Sequence, residues 1–211
     1  MSRDHILHRV RTALGRSAGQ EPAPPPPVRL RVPEVPRDLR VSSFIARLEA
    51  LAGHAQRVPS QSAAGDLVAA AIAGRTAVAS NSPYLAECGI TSLPGVRSGI
   101  RDVNELRDAC EKADVGITSA DYALGDTGTL VMIASPAEAR LVSLLPPAHI
   151  AVVPCDRILT GLDELFTVLP RPADQTSSMV LITGPSRTAD IEQILVRGVH
   201  GPGQISVFLV E

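Results

Sequence analysis

From Asp38 to the C-terminal Glu211, short apolar runs of strand length alternate with longer segments whose apolar residues recur at helical spacing. Helices are predicted over Asp38 to Ala52, Ala63 to Ala73, Asp102 to Ala113 and Gly161 to Val168. Strands are predicted over Thr76 to Ala79, Val115 to Thr118, Thr129 to Ala134, Ile150 to Val153 and Met179 to Ile182, with Val58 closing a short strand and Ile205, Val207 and Leu209 alternating in a last one. Ala120 to Leu124 reads as a turn, Ser135 to Arg140 as a short helical turn, and Asn81-Ser82-Pro83 as a turn opening a short helix toward Cys88. Such alternation favours an α/β fold, a layered α/β/α domain with a mainly parallel or mixed sheet. With 211 residues, 45% of them apolar, the chain has material for one good core, placed here over 38–211.

Residues 1–37 differ in kind. Ser2 to Gly15 sets Ile6, Leu7, Val10 and Leu14 on one helical face, and the following arm carries four consecutive prolines, Pro24 to Pro27, a composition that forms an extended tether without a core. The first 40 residues hold eight Arg against four acidic residues. This leader is either a mobile segment solvated by its charges or a helix that docks on a second copy, making a homo-oligomer.

Near the C-terminus, Met179 to Ile182 gives way to Thr183-Gly184-Pro185-Ser186, after which Ala189, Ile191, Ile194, Leu195 and Val199 recur at helical spacing. The reading is strand, turn, helix: the helix starts near Ser186 to Thr188, with Asp190 and Glu192 in its first turns, and stops at Gly198. A glycine turn before a helix N-terminus presents free backbone N–H groups, so Thr183, Gly184, Ser186, Arg187 and Thr188 form a candidate site for a small anionic ligand, or else an ordinary capped helix. The segment has neither the Gly-Lys-Ser/Thr core of a phosphate loop nor the spacing of a dinucleotide fingerprint. Between Ser186 and Gly198 a helix spans roughly 15 Å. That length separates Thr183 to Thr188 from His200, which is a separate candidate contact able to act as acid or base near neutral pH.

Asp126-Thr127-Gly128-Thr129 is a polar, glycine-flanked bend that either caps a tight turn or touches a ligand; one Asp-Thr-Gly copy in an α/β pattern is no aspartic protease. Arg140 stands beside Ala139, Leu141 and Val142, and its permanent charge needs an anion or a distant carboxylate such as Asp121, Asp126 or Asp190. His149 reads as a hydrogen-bonded loop histidine. Asn81, just past a strand end, is either a turn residue or a ligand contact.

The run ITGPSRTADIE with VRGVHGPG, together with GITSADYALGDTGTLVM and RLVSLLPPAHIAVVP, resembles the signature of the LUD domain family, in its lactate utilization protein C branch. The resemblance implies a fold like that of the ribose-phosphate isomerase and CoA transferase superfamily. It also implies a part in oxidising lactate to pyruvate with iron–sulfur partner proteins, and it supplies no catalytic residue. Three scattered cysteines, Cys88, Cys110 and Cys155, fall short of the four that a usual cluster takes, so no cofactor is expected in this chain and clusters are expected only in the partners. The five histidines have no metal-binding spacing.

A net charge of −2 and few aromatic residues argue against nucleic acid, and no stretch is long or apolar enough to span a bilayer. The charged N-terminus lacks the apolar region of a signal peptide, so a cytoplasmic protein is expected. Two function classes fit: a non-redox accessory or ligand-binding subunit of lactate oxidation, and an independent enzyme or binding module for a phosphorylated, CoA-linked or folate-like anion.

Overall fold

Two sheets share the apolar runs in a computed structural model of the chain, which describes residues 2–21, 32–189 and 195–211. The first sheet has six strands, all parallel, in the order β1 (His54–Val58), β12 (Gln204–Val210), β7 (Ala148–Pro154), β4 (Val115–Ser119), β2 (Ala77–Ala79), β3 (Val96–Arg97). All five residues of β4 and six of the seven in β7 are buried, as continuous apolar runs require when both faces of a parallel strand are covered. The outer strand β1 shows the half-buried pattern of an edge.

Period-two alternation divides each central strand between two cores. Phe208 and Val210 join Ile117, Ile150 and Val152 against α3 (Gln61–Ala71) and α4 (Pro83–Glu87). On the other face Ile205, Val207 and Leu209 meet Val41, Phe44 and Leu48 of α2 (Arg37–Ala50) and residues of the second sheet. That sheet has four strands in the order β8 (Ile158–Leu159), β5 (Tyr122–Leu124), β6 (Thr129–Ile133), β9 (Met179–Ile182), and α7 (Leu162–Val168) contributes Leu165 to its outer core. Near β2, α5 (Val103–Lys112) and α6 (Arg140–Leu144) pack through Ala109, Cys110 and Val142.

Local chemistry explains several boundaries. The Asp102 carboxylate accepts from the N–H groups of Asn104 and Glu105, at 3.0 and 2.9 Å, and so satisfies two donors that open α5. Asp102→Ala is expected to cost about 1 kcal/mol; a thermal midpoint equal to that of the parent would show the cap to be idle.

The layered α/β expectation holds, with four local corrections. Tyr122–Leu124 is a strand rather than part of a turn, because it pairs with both β6 and β8. The short helix follows Ser135 to Ala139 and begins at Arg140, since the Ser135 hydroxyl caps the preceding bend by accepting from the Ala137 and Glu138 amides. His149 lies within β7, its ring buried on the face toward β6, not in a loop.

The largest correction concerns the helix predicted from Ser186 to Gly198. In its place β10 (Arg187–Ala189) pairs antiparallel with β11 (Leu195–Arg197). Asp190, Ile191, Glu192 and Ile194 lie outside the described residues. The ladder is anchored by contacts beyond local periodicity: the Ser186 N–H donates to Pro202 O at 2.9 Å and the Gly198 N–H to Ser186 O at 3.0 Å. Gly198, at φ 79°, takes a left-handed conformation just after β11.

α1 (Arg3–Ala13) is capped by Ser2 and buries none of its residues; Ile6, Val10 and Leu14 are 50, 49 and 63% exposed. Most of the proline arm, 22–31, lies outside the described residues. Among those described, no helix is long and apolar enough to cross a membrane.

Candidate functional site

Antiparallel pairing of 187–189 with 195–197 brings together what a helix would have kept apart. The outer ends of the two strands meet at one place, and Thr183, Gly184, Ser186, Arg187 and His200 line a single cleft of about 400 Å3. Its remaining walls include Leu51 after α2, Ser143 and Leu144 of α6, and the backbone at Gly201 and Pro202. The expected separation of His200 from the Thr183 to Thr188 turn is therefore wrong, because it rested on a rigid helical rise that this segment does not have.

The pairing also changes the chemistry of the cleft. Among the described residues Ser186 leads into a strand and not a helix, and its amide is spent on Pro202 O. What remains for an anion is side-chain charge and hydroxyls. Arg187 is exposed and donates to the Leu51 carbonyl; among the described residues the rest of its five-donor fork has no partner. His200 is exposed on the facing loop, and Ser186 lies half-buried between them. Gly184 takes φ 78° at the floor, where a β-carbon would meet the Leu51 side chain at 2.9 Å, so glycine is needed there for both conformation and space.

The Asp126 to Thr129 bend reaches the cleft through one relay of hydroxyls. Thr183 donates to Thr129 at 2.9 Å and Thr129 donates to Thr127 at 2.8 Å, which fixes the Thr183 rotamer. Gly128, at φ 68°, lies so close to α2 that a β-carbon would stand 2.6 Å from the Leu48 nitrogen. Asp126 faces away: its carboxylate occupies the space beside Gly161, and its N–H donates to Thr160 O. Thr188 sits in the β10 ladder opposite Val196 and is no part of the cleft lining. Arg140 opens α6 and donates to Ser178 Oγ at 3.2 Å; Asp121 and Asp126 do not pair with it.

A second polar cluster gives no signal in the sequence. Glu138, only 7% exposed, accepts on Oε1 from the Ser80 hydroxyl at 2.8 Å and from the Ser119 N–H at 3.0 Å. Its Oε2 and the buried Ser119 Oγ have no partner among the described residues. Burial pushes the Glu138 carboxyl up to about 7, against the lowering pull of the Ser119 amide and nearby serine hydroxyls, while the charge of Asp121 raises it further. One residue earlier in β4, Thr118 Oγ1 lies 2.7 Å from His149 Nε2, and burial lowers that imidazole to about 4 with Nδ1 unpartnered among the described residues. All three thiols are buried and burial raises each to about 11, so none is a ready nucleophile. Among the described residues no group of three or more His, Cys, Asp or Glu is placed to hold a metal ion.

Comparison with known proteins places this architecture. A crystal structure of a DUF162 family protein from Deinococcus radiodurans superposes with a TM-score of 0.64 at 19% identity, covering 84% of this chain and 100% of that one, which is a likeness of fold. Lactate utilization protein C of Halalkalibacterium halodurans is 36% identical over 145 residues, 65% of this chain and 63% of the relative. The proteins of that name from Exiguobacterium and Geobacillus kaustophilus are 39% identical over 108 residues and 31% over 155, covering 49% and 67% of this chain. In these three matches the aligned part spans 63, 47 and 65% of the relatives' own length. The sequence model of the LUD domain matches residues 41–210, nearly the whole span of both sheets. The chain belongs to the LUD domain family.

Proposed function

We propose that this chain is a component of an L-lactate utilization system, a non-redox subunit that acts in the cytoplasm beside iron–sulfur proteins oxidising lactate to pyruvate. The observation that carries this reading is the similarity to lactate utilization protein C, 36% identity over 145 residues in the Halalkalibacterium halodurans case. The cleft at Arg187 is the anion site of the subunit in this reading: a carboxylate or phosphate is held by the guanidinium, with Ser186 and His200 beside it and Thr183, whose proton goes to Thr129, in the wall. Thr129 and Thr127 act behind Thr183 by holding its hydroxyl.

Removing the gene from its host is expected to abolish or severely slow growth on L-lactate as sole carbon source, with recovery when the chain is restored. In a lactate-dependent dye-reduction assay the purified chain is expected to be inactive, and activity is expected once iron–sulfur proteins of a lactate-oxidising system are added. Normal growth of the deletion strain, or robust turnover by the chain alone, overturns the reading.

The cleft is tested separately by titrating the full chain with inorganic phosphate, L-lactate and CoA. Arg187→Ala is expected to weaken the binding anion about tenfold or more, the value of a charge-assisted contact, and Ser186→Ala less. Equal affinity in the parent and both variants would leave the cleft without this role.

A further inference from the structure

The strand order reverses between β2 and β4. After β2 the chain moves to β3 on one side, whereas β4 is followed in the same sheet by β7 on the other. In open α/β sheets the crevice beyond the carboxyl ends at such a reversal is where ligands sit, because the two flanking loops diverge and leave a gap. Beside that reversal, past the carboxyl end of β2, the segments 79–81, 100–106 and 135–142 border a cavity of about 630 Å3, within the range that encloses small metabolites.

Three properties of its lining define what fits. The floor is apolar, made by Ile100, Val103, Leu106 and Val142, and Val103 stands 71% exposed although it begins an amphipathic helix at the cavity's edge. Ser80 lines the wall, and its proton is committed to Glu138 Oε1, so toward the cavity it offers oxygen lone pairs and receives a donor. Arg101 stands at the rim and forms no ion pair among the described residues. The loop that carries Arg101 is preset: Asn81 Nδ2 donates to Ile100 O at 2.8 Å and Asn81 Oδ1 accepts from the Gly99 N–H at 2.8 Å. Both ends of the Asn81 amide are thus used to hold this wall, which makes Asn81 a residue that shapes the turn.

We propose that this crevice past the end of β2 binds a hydroxylated organic acid with a branched or extended aliphatic body. Its carboxylate meets Arg101, its hydroxyl donates to Ser80, and its hydrocarbon covers Ile100, Val103, Leu106 and Val142. Glu138 is a positioning residue: it touches no ligand and fixes the Ser80 proton so that the outward lone pairs are always available. Lactate, with a single methyl, leaves this floor uncovered, so the site is distinct from the Arg187 cleft and does not depend on the lactate reading.

Isothermal titration of the full chain with 2-hydroxy-4-methylpentanoate, 4-methylpentanoate and L-lactate tests this. The hydroxy acid is expected to bind several-fold more tightly than its deoxy analogue, the worth of one neutral hydrogen bond, and more tightly than lactate, which lacks the apolar contact. Arg101→Ala is expected to weaken both larger acids about tenfold. Ser80→Ala is expected to erase the preference for the hydroxyl, and Glu138→Gln to keep it because the amide oxygen still accepts from Ser80. Because Arg101 is exposed, its variant keeps the test valid even where substitution of buried Ser80 disturbs folding. Absence of millimolar binding, equal affinity for the hydroxy and deoxy acids, or loss in Arg187→Ala without loss in Arg101→Ala overturns the proposal.

Discussion

Gly116→Ala is expected to remove about 3 kcal/mol of stability or more, at the upper end of what overpacking a core costs. Gly116 is the second residue of β4 and faces α6, and a β-carbon there would stand 1.9 Å from the Val142 carbonyl oxygen and 3.1 Å from Pro146 Cγ. The clash is with backbone on a helix whose position is set from both ends, by Arg140 against Ser178 and by Pro146 leading into β7, so no rotamer change relieves it. Moving α6 away would also open the floor under Val142 and the wall of the Arg187 cleft at Ser143. Gly74→Ala is the control: φ 73° makes the substitution strained but nothing lies within 4 Å, so a loss of about 1 kcal/mol is expected. Guanidinium denaturation of the two variants decides the matter, and a Gly116→Ala midpoint no lower than that of Gly74→Ala would show that α6 yields freely.

What was legible in the sequence is what local periodicity controls. The α2 and α5 helices, the buried strands β4 and β7, and the closing strand β12 each carry enough apolar residues at one period to specify their element without help from elsewhere. The paired strands β10 and β11 do not, because the apolar spacing of this stretch also suits a helix, and the contacts that decide for a ladder come from Pro202 and from the pairing itself. The second sheet was hidden for a related reason. Met179–Ile182 reads as one more strand, and only its antiparallel register against β6, Leu130 opposite Ile182, places it outside the parallel sheet. Of the candidate site, Thr183, Gly184, Ser186, Arg187 and His200 were found as residue types beside a glycine turn, although the geometry invoked for them was not the one that brings them together. Glu138 gave no sign. It is a single acidic residue in a short polar turn, and the partners that bury it, Ser80 and Ser119, lie 58 and 19 residues away.

The parent protein is expected to show little change in stability between about pH 4.5 and 6.5 from its two buried titrating groups, because Glu138 and His149 act in opposite directions there. Glu138 rises from its ordinary 4.5 to about 7 in the folded state, so across that interval the folded chain holds a proton that the unfolded chain has released. Its contribution is fully present below pH 4.5 and is lost as pH rises through about 7. His149 falls from 6.5 to about 4, so the unfolded chain binds a proton that the folded chain refuses. That contribution is present above pH 6.5 and is lost as pH falls through about 4. Each shift corresponds to about 3 kcal/mol over its full window, and over the shared window the slopes cancel. Glu138→Gln keeps the acceptor for Ser80 and Ser119 but cannot titrate, so the variant should lose about 2 to 3 kcal/mol relative to its own pH 7 stability as pH falls to 4.5, leaving the His149 slope exposed. His149→Gln should do the reverse and gain stability on acidification relative to the parent. Asp121, itself raised by burial, and the other carboxylates contribute a background common to all three proteins, so the quantity to compare is the difference between each variant and the parent. Urea denaturation at pH 4.5, 5.5, 6.5 and 7.5 measures it, and difference curves that stay flat across that range would mean that neither group is held in the protonation state its burial demands.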